Sequence, residues 1–290
     1  MKKIKQIVTI FAALALAVTA GLSFAGTKTK AAGSDEFTRT AIEIAADMGY
    51  GWNLGNTMEA TNTWTSNPKV TDFETAWGQP VTTKAMIDGI KKAGFNSIRI
   101  PVSWSNMMSS DGNYIIDASY FKRVDEIISY AFANDMYVII NDHYDGGWWE
   151  HFCGNKRDCM KHYKNMWTQV AGHYKDYSEK LIFESANEEL GDSLKKSLSK
   201  IDVNISDTAL YNLVNEINQT FVDIVRQSGG NNARRYLLIA GFNTDIDKTC
   251  SSLYEMPTDT ISNHLMISVH YYTPWTYVGL YKDEGYGYKA

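Results

Sequence analysis

Six short apolar runs recur along the chain, separated by helix-length stretches, and that alternation limits the possible folds more than any other feature. The runs read as strands at 48–55, 96–101, 136–141, 180–187, 235–240 and 265–270. Helices are predicted at 82–93, 118–133, 158–176 and 208–227. There apolar residues return every three or four positions, as at Phe121, Val124, Ile127, Ile128 and Ala131. Short, continuously apolar strands alternating with helices are the pattern of parallel βαβ units, whose strands are covered on both faces. Such units build either a closed barrel or an open doubly wound sheet. Open sheets commonly bind nucleotides over a glycine-rich first turn, and the chain has neither G-x-G-x-x-G nor G-x-x-x-x-G-K. The expectation is an α/β fold: a (β/α)8 TIM barrel of which about six βα units are present, in one domain over residues 26–290.

Residues 1–25 read as a secretory signal. Lys2, Lys3 and Lys5 precede an apolar stretch from Ile7 to Ala20, and Ser23-Phe24-Ala25 offers small residues for cleavage. The apolar run is short for a membrane span and no second one follows, so the mature chain is expected to be secreted and free of the membrane. A net charge of -5 argues against nucleic acid or an anionic bilayer as partner. Aromatic residues make up 13% of the chain, with 8 Trp and 18 Tyr, which suits a neutral, flat-faced ligand such as a sugar chain. Cys153 and Cys159 are spaced to close a small disulfide loop or to stand as two buried thiols, and no zinc spacing of the C-x-x-C type occurs.

Polar side chains gather at the carboxyl ends of the strands, where barrels keep their chemistry. The fourth run ends in Asn187-Glu188. Period two places Glu184 on the same face as Glu188 but about 13 Å deeper, at ~3.3 Å per residue, so Glu184 is expected to be structural and Glu188 to reach a ligand. Arg99 interrupts an apolar strand and requires an inward carboxylate partner. His143 closes the third strand, and His270 closes the sixth with Tyr272 behind it. A retaining glycosidase needs two carboxyl groups about 5–5.5 Å apart, one protonated and one ionised. Glu188 suits the acid/base, whose pKa must be raised, with Asn187 beside it for a sugar hydroxyl. Arg99, His143 and Tyr272 suit the donors for a second carboxylate. Asp142 and Asp145 are the nearest candidates for that second group. Trp52, Trp148, Trp149 and Trp275 follow strand ends and are expected as platforms for sugar rings, whereas Trp167, on a helix, is expected in the core.

Several segments together resemble glycoside hydrolase family 5, the cellulase family, across nearly all of residues 40–290. They are Gly51-Trp52-Asn53-Leu54-Gly55-Asn56, Glu74-Thr75-Ala76-Trp77-Gly78, Ile98-Arg99-Ile100-Pro101-Val102, Phe183-Glu184 with Asn187-Glu188, and His270-Tyr271-Tyr272. The resemblance implies a (β/α)8 barrel, a retaining double displacement on a β-linked polysaccharide, and no metal or other cofactor. Its pattern places an arginine at Arg99, a histidine at His143, the Asn-acid pair at Asn187-Glu188 and a His-x-Tyr at His270 and Tyr272. The family's nucleophile is a glutamate at the end of strand seven, and a stacking tryptophan follows strand eight. The sequence reaches Ala290 just after the sixth run, so the expectation is an amino-terminal fragment, inactive alone, with the nucleophile beyond residue 290 and a binding or docking module possible after it. Tyr144 stands where the family more often has a second histidine, and Glu189 where a proline commonly follows the acid.

The expected function is an endo-β-1,4-glucanase. A β-mannanase or xyloglucanase specificity and a non-catalytic glycan-binding barrel are the alternatives. An unclosed barrel with exposed apolar edges speaks against the latter. A metal-dependent hydrolase built on Asp142, His143, Asp145 and His270 lacks an H-E-x-x-H spacing, and a serine hydrolase lacks G-x-S-x-G.

Overall fold

A computed structural model describes residues 36–196, 202–279 and Lys282. The signal-like segment at 1–25 lies outside the described residues. Six parallel strands pair in sequence order: β1 (Gly51–Asn53), β2 (Ser97–Ile100), β3 (Tyr137–Ile140), β4 (Leu181–Glu184), β5 (Leu237–Ala240) and β6 (Leu265–Ser268). Neighbours in space are neighbours in sequence, the arrangement of a barrel wall, and among the described residues β1 and β6 are its two edges. Each of the six apolar runs contains a strand, shorter than expected at one end or both.

The α-helices of five or more residues among the described residues are α1 (Ala41–Met48), α2 (Val70–Glu74), α3 (Lys84–Lys92), α4 (Ala118–Phe132), α5 (Lys156–Tyr174) and α6 (Asp207–Gln227). The last four match the predicted helices within a few residues. In α4, Asp117 caps the first turn and the buried stripe is Tyr120, Phe121, Val124, Ile127, Ile128 and Ala131. Helices α1 and α2 were not predicted. Thr40 and Glu43 form a reciprocal capping box on α1, with Glu43 Oε2 accepting from the Thr40 amide at 2.7 Å.

Strand parity divides the core in two. Ile98, Ile100, Val138, Ile140, Leu181, Phe183, Leu237 and Ile239 pack outward beneath the helices. The opposite parity points into the barrel, where Tyr137 and Ile182, with Tyr236 just before β5, meet Phe37, Ala41 and Ile44. Helix α1 therefore plugs the amino-terminal end of the barrel, leaving the carboxyl ends of the strands for chemistry. Near that plug Arg235 is fully buried and donates to the carbonyls of Tyr174, Tyr177, Ser178 and Leu181. Trp167 is fully buried, as expected. Cys153 and Cys159 are free thiols, and the Cys159 thiol lies 3.7 Å from the Trp148 carbonyl.

Candidate active site

Glu184 is the inward carboxylate that Arg99 required. Its Oε2 accepts from Arg99 Nε at 2.7 Å and from Asn141 Nδ2 at 3.0 Å, and its Oε1 accepts from Ser268 Oγ at 2.8 Å. One buried carboxylate thus joins residues of β2, β4 and β6 and the residue after β3. Its oxygens are spent on these bonds, which fixes a structural role. Arg99 uses its remaining nitrogens to donate to Asn53 Oδ1 and Asn187 Oδ1, each at 3.0 Å. The Asn187 amide donates to the Asp142 carbonyl at 3.1 Å, so Asn187 is held from both ends.

β4 ends at Glu184, and the chain then turns so that Glu188 emerges at the mouth with 47% of its side chain exposed. His270 Nδ1 lies 2.6 Å from Glu188 Oε1, and Tyr272 OH lies 3.4 Å from the same oxygen. A carboxylate only accepts, so that imidazole nitrogen carries the hydrogen. The His270 contact holds Glu188 below the usual carboxylate range, outweighing partial burial. A proton donor requires the reverse, a raised pKa. The expected donors gather around Glu188 rather than around a second carboxylate. His143 stands near both Glu188 and Arg99; burial, and then the Arg99 charge, push it down to about 3, so it is neutral. Its amide donates to the Val102 carbonyl and its own carbonyl accepts from Ser103 Oγ at 2.7 Å. The His143 Nδ1 atom is buried without a partner in the protein.

Three expected aromatic platforms are placed otherwise. Asn53 faces Arg99 inside the barrel, so Trp52, one residue earlier, points outward. It packs edge-on against Phe95 and lines a cavity of about 760 Å³ between β1, the loop after it and α3. Trp149 is fully buried and donates to Asp142 Oδ2 at 2.9 Å. Trp148 stacks on both Trp149 and His162, with ring centroids 4.5 and 4.3 Å away, so its ring is committed to internal packing. Trp275 is 54% exposed and edge-on to Tyr272 at 6.2 Å, and its ring remains available there.

Asp142 and Asp145 fail as a second active carboxylate. Both are buried, and burial raises the proton affinity of each. Asp145 accepts from the Ser105 amide, Ser105 Oγ and the Trp148 indole at 2.6 to 2.7 Å. They secure the loop after β3 instead. Asn53, Asn141 and Ser268 were not singled out from the sequence, although each supports Arg99 or Glu184. Their signal was strand parity: a short polar side chain on an inward position beside a buried charge.

A sequence model described as "Cellulase (glycosyl hydrolase family 5)" matches residues 58–288. Endoglucanase A of Paenibacillus barcinonensis is 41% identical over 283 residues, 92% of this chain and 67% of that protein. Endoglucanase B of Clostridium cellulovorans is 37% identical over 236 residues, 81% of this chain and 50% of that protein. Among solved structures, a GH5-4 broad specificity endoglucanase from Ruminococcus champanellensis with bound cellotriose superposes with a TM-score of 0.75 at 35% identity. That match covers 87% of this chain and 73% of the other.

Proposed function

Since the chain belongs to the cellulase family, glycosyl hydrolase family 5, we propose that it is the catalytic barrel of a retaining endo-β-1,4-glucanase with Glu188 as general acid/base. The observation that carries this reading is the convergence of Glu188, His270, Tyr272, His143 and Asn187 at one strand-end mouth, with Arg99 behind them. The relatives' names and the bound cellotriose support a β-1,4-glucan chain as substrate.

In the first step Glu188 protonates the glycosidic oxygen while a carboxylate attacks the anomeric carbon from the opposite face. In the second, Glu188 takes a proton from water as the water oxygen attacks the anomeric carbon and displaces the enzyme carboxylate, releasing the sugar with its configuration retained. Asn187, fixed by Arg99, is placed to bond a hydroxyl of the reacting sugar, and neutral His143 offers a second polar contact. The contact with His270 favours the base form of Glu188. A nearby nucleophile's negative charge raises the acid's pKa, so a proton is held until that charge is consumed by the glycosyl bond. Glu184 and Asp145 are spent on bonds of their own, and Asp142 and Glu189 are buried with one oxygen already bonded, so this reading assigns the attack to none of the four. The mechanism draws on no cofactor.

The lysine-led apolar segment at 1–25 supports export, and among the described residues no helix is long and apolar enough to cross a membrane. The test is hydrolysis of soluble β-glucan by the full-length gene product, followed by NMR of the released anomer. Retained β-product, lost in Glu188→Gln, is expected; inverted product or an unchanged Glu188→Gln rate rejects the assignment.

A further inference from the structure

Four consecutive residues after His143 have positive φ: Tyr144 at 54°, Asp145 at 49°, Gly146 at 77° and Gly147 at 80°. Glycine adopts such angles freely, whereas tyrosine does not. Tyr144 has φ 54° and ψ -50°, and the Asp145 amide reaches back to the His143 carbonyl at 2.5 Å. This is the strained three-residue turn, seldom adopted by a large side chain. Strain of this kind persists only where the surroundings over-determine it.

Here they do so on three sides. Upstream, His143 is bonded to Val102 and Ser103; downstream, the Asp145 carboxylate accepts three donors from Ser105 and Trp148. At the centre, Glu189 Oε1 accepts from the Tyr144 amide at 2.6 Å. Glu189 is buried and its other oxygen has no protein partner, so its place is not explained by its own satisfaction. What the arrangement achieves is the position of the Tyr144 ring. That ring is 42% exposed beside His143, with its phenol end resting over Gly147. A glycine would make the same turn without strain, and a half-exposed ring adds little to packing. A tyrosine face suits the C–H surface of a sugar, and its hydroxyl suits a sugar hydroxyl.

From this geometry we propose that Tyr144 contacts a sugar ring in the cleft and helps set specificity, and that Glu189 is the positioning residue that holds it there. The proposal rests on the glucanase reading of the site. Because Glu189 directly follows Glu188, one chain segment carries both the group acting on the glycosidic bond and the anchor that fixes where a neighbouring sugar lies.

Calorimetric titration of the full-length chain with cellotetraose tests this without requiring turnover. Tyr144→Ala is expected to weaken binding by about 5- to 10-fold, the scale of one aromatic contact. Glu189→Leu removes the acceptor and is expected to match it, whereas Glu189→Gln keeps an acceptor oxygen and stays within about 2-fold of wild type. Tyr144→Gly relieves the strain, so it should lose affinity while melting at or above the wild-type temperature. If Glu189→Leu fails to fold, the two Tyr144 variants decide the matter. Wild-type binding with normal affinity in Tyr144→Ala and a lowered melting point in Tyr144→Gly overturns the inference alone. Absence of cellotetraose binding by the wild type overturns the glucanase reading and this inference with it.

Discussion

His270 Nδ1 sits 2.6 Å from Glu188 Oε1, joining the end of the sixth strand to the segment just after the fourth. The contact places a donor on the carboxylate proposed as general acid/base, and it is the largest influence on that group's charge. It keeps Glu188 ionised, so the acid form must be created by a neighbouring negative charge rather than by burial.

Removing the imidazole should therefore raise the Glu188 pKa. His270→Ala is expected to shift its carbon-13 NMR titration upward and to lower kcat by about 10²-fold, the scale of a lost general-acid/base contribution. A downward shift would show that His270 does not stabilise the carboxylate.

Glu184 is structural, and its loss should appear as instability. Glu184→Ala leaves Arg99 as a buried charge without its carboxylate and strands the Asn141 and Ser268 donors. A loss of about 3–5 kcal/mol is expected from urea denaturation, as for breaking a buried ion pair from one side. Arg99→Lys should fold better but turn over slowly, because a single ammonium cannot reproduce the fork that spans Glu184, Asn53 and Asn187.

Two neighbours give opposite pH dependences. His143 is pushed down to about 3 from 6.5 by burial and by Arg99. Below its ordinary value the unfolded chain binds a proton that the folded protein refuses, so stability falls as the pH drops from 6.5 toward 3. Glu189 is pushed up to about 7 from 4.5, chiefly by burial. The folded protein then holds a proton that the unfolded chain releases, a contribution present below 4.5 and lost as the pH rises through about 7. Urea midpoints at about pH 5 and about pH 8 should show His143→Gln less sensitive to acid and Glu189→Gln less sensitive to base than wild type.

The tryptophans should separate into core and cleft. Trp149→Phe strands Asp142, already missing a partner on one oxygen, and is expected to cost about 1–3 kcal/mol with oligosaccharide affinity nearly intact. Trp275→Ala should leave the melting temperature unchanged and weaken cellotetraose binding. The reverse pattern would mean that the ring carrying the sugar has been misplaced.

The amino-acid order by itself determined the strand sequence, the helix stripes and the inward carboxylate demanded by Arg99. These follow from periodicity and from the cost of an unpaired buried charge, both local or one-body properties of the chain. Only the tertiary structure decided what each polar strand end touches. Trp52 and Asn53 are adjacent, yet parity sends one beneath a helix and the other to Arg99. Asp142 and Asp145 carry the same chemistry as Glu188, yet both are buried, Asp142 beside one indole and Asp145 under an indole and a backbone amide. The direction of the Glu188 pKa and the anchoring of Tyr144 depend on partners 82 and 45 residues away in sequence. Charge and hydrogen bonding act through space, and the barrel chooses which distant residues share that space.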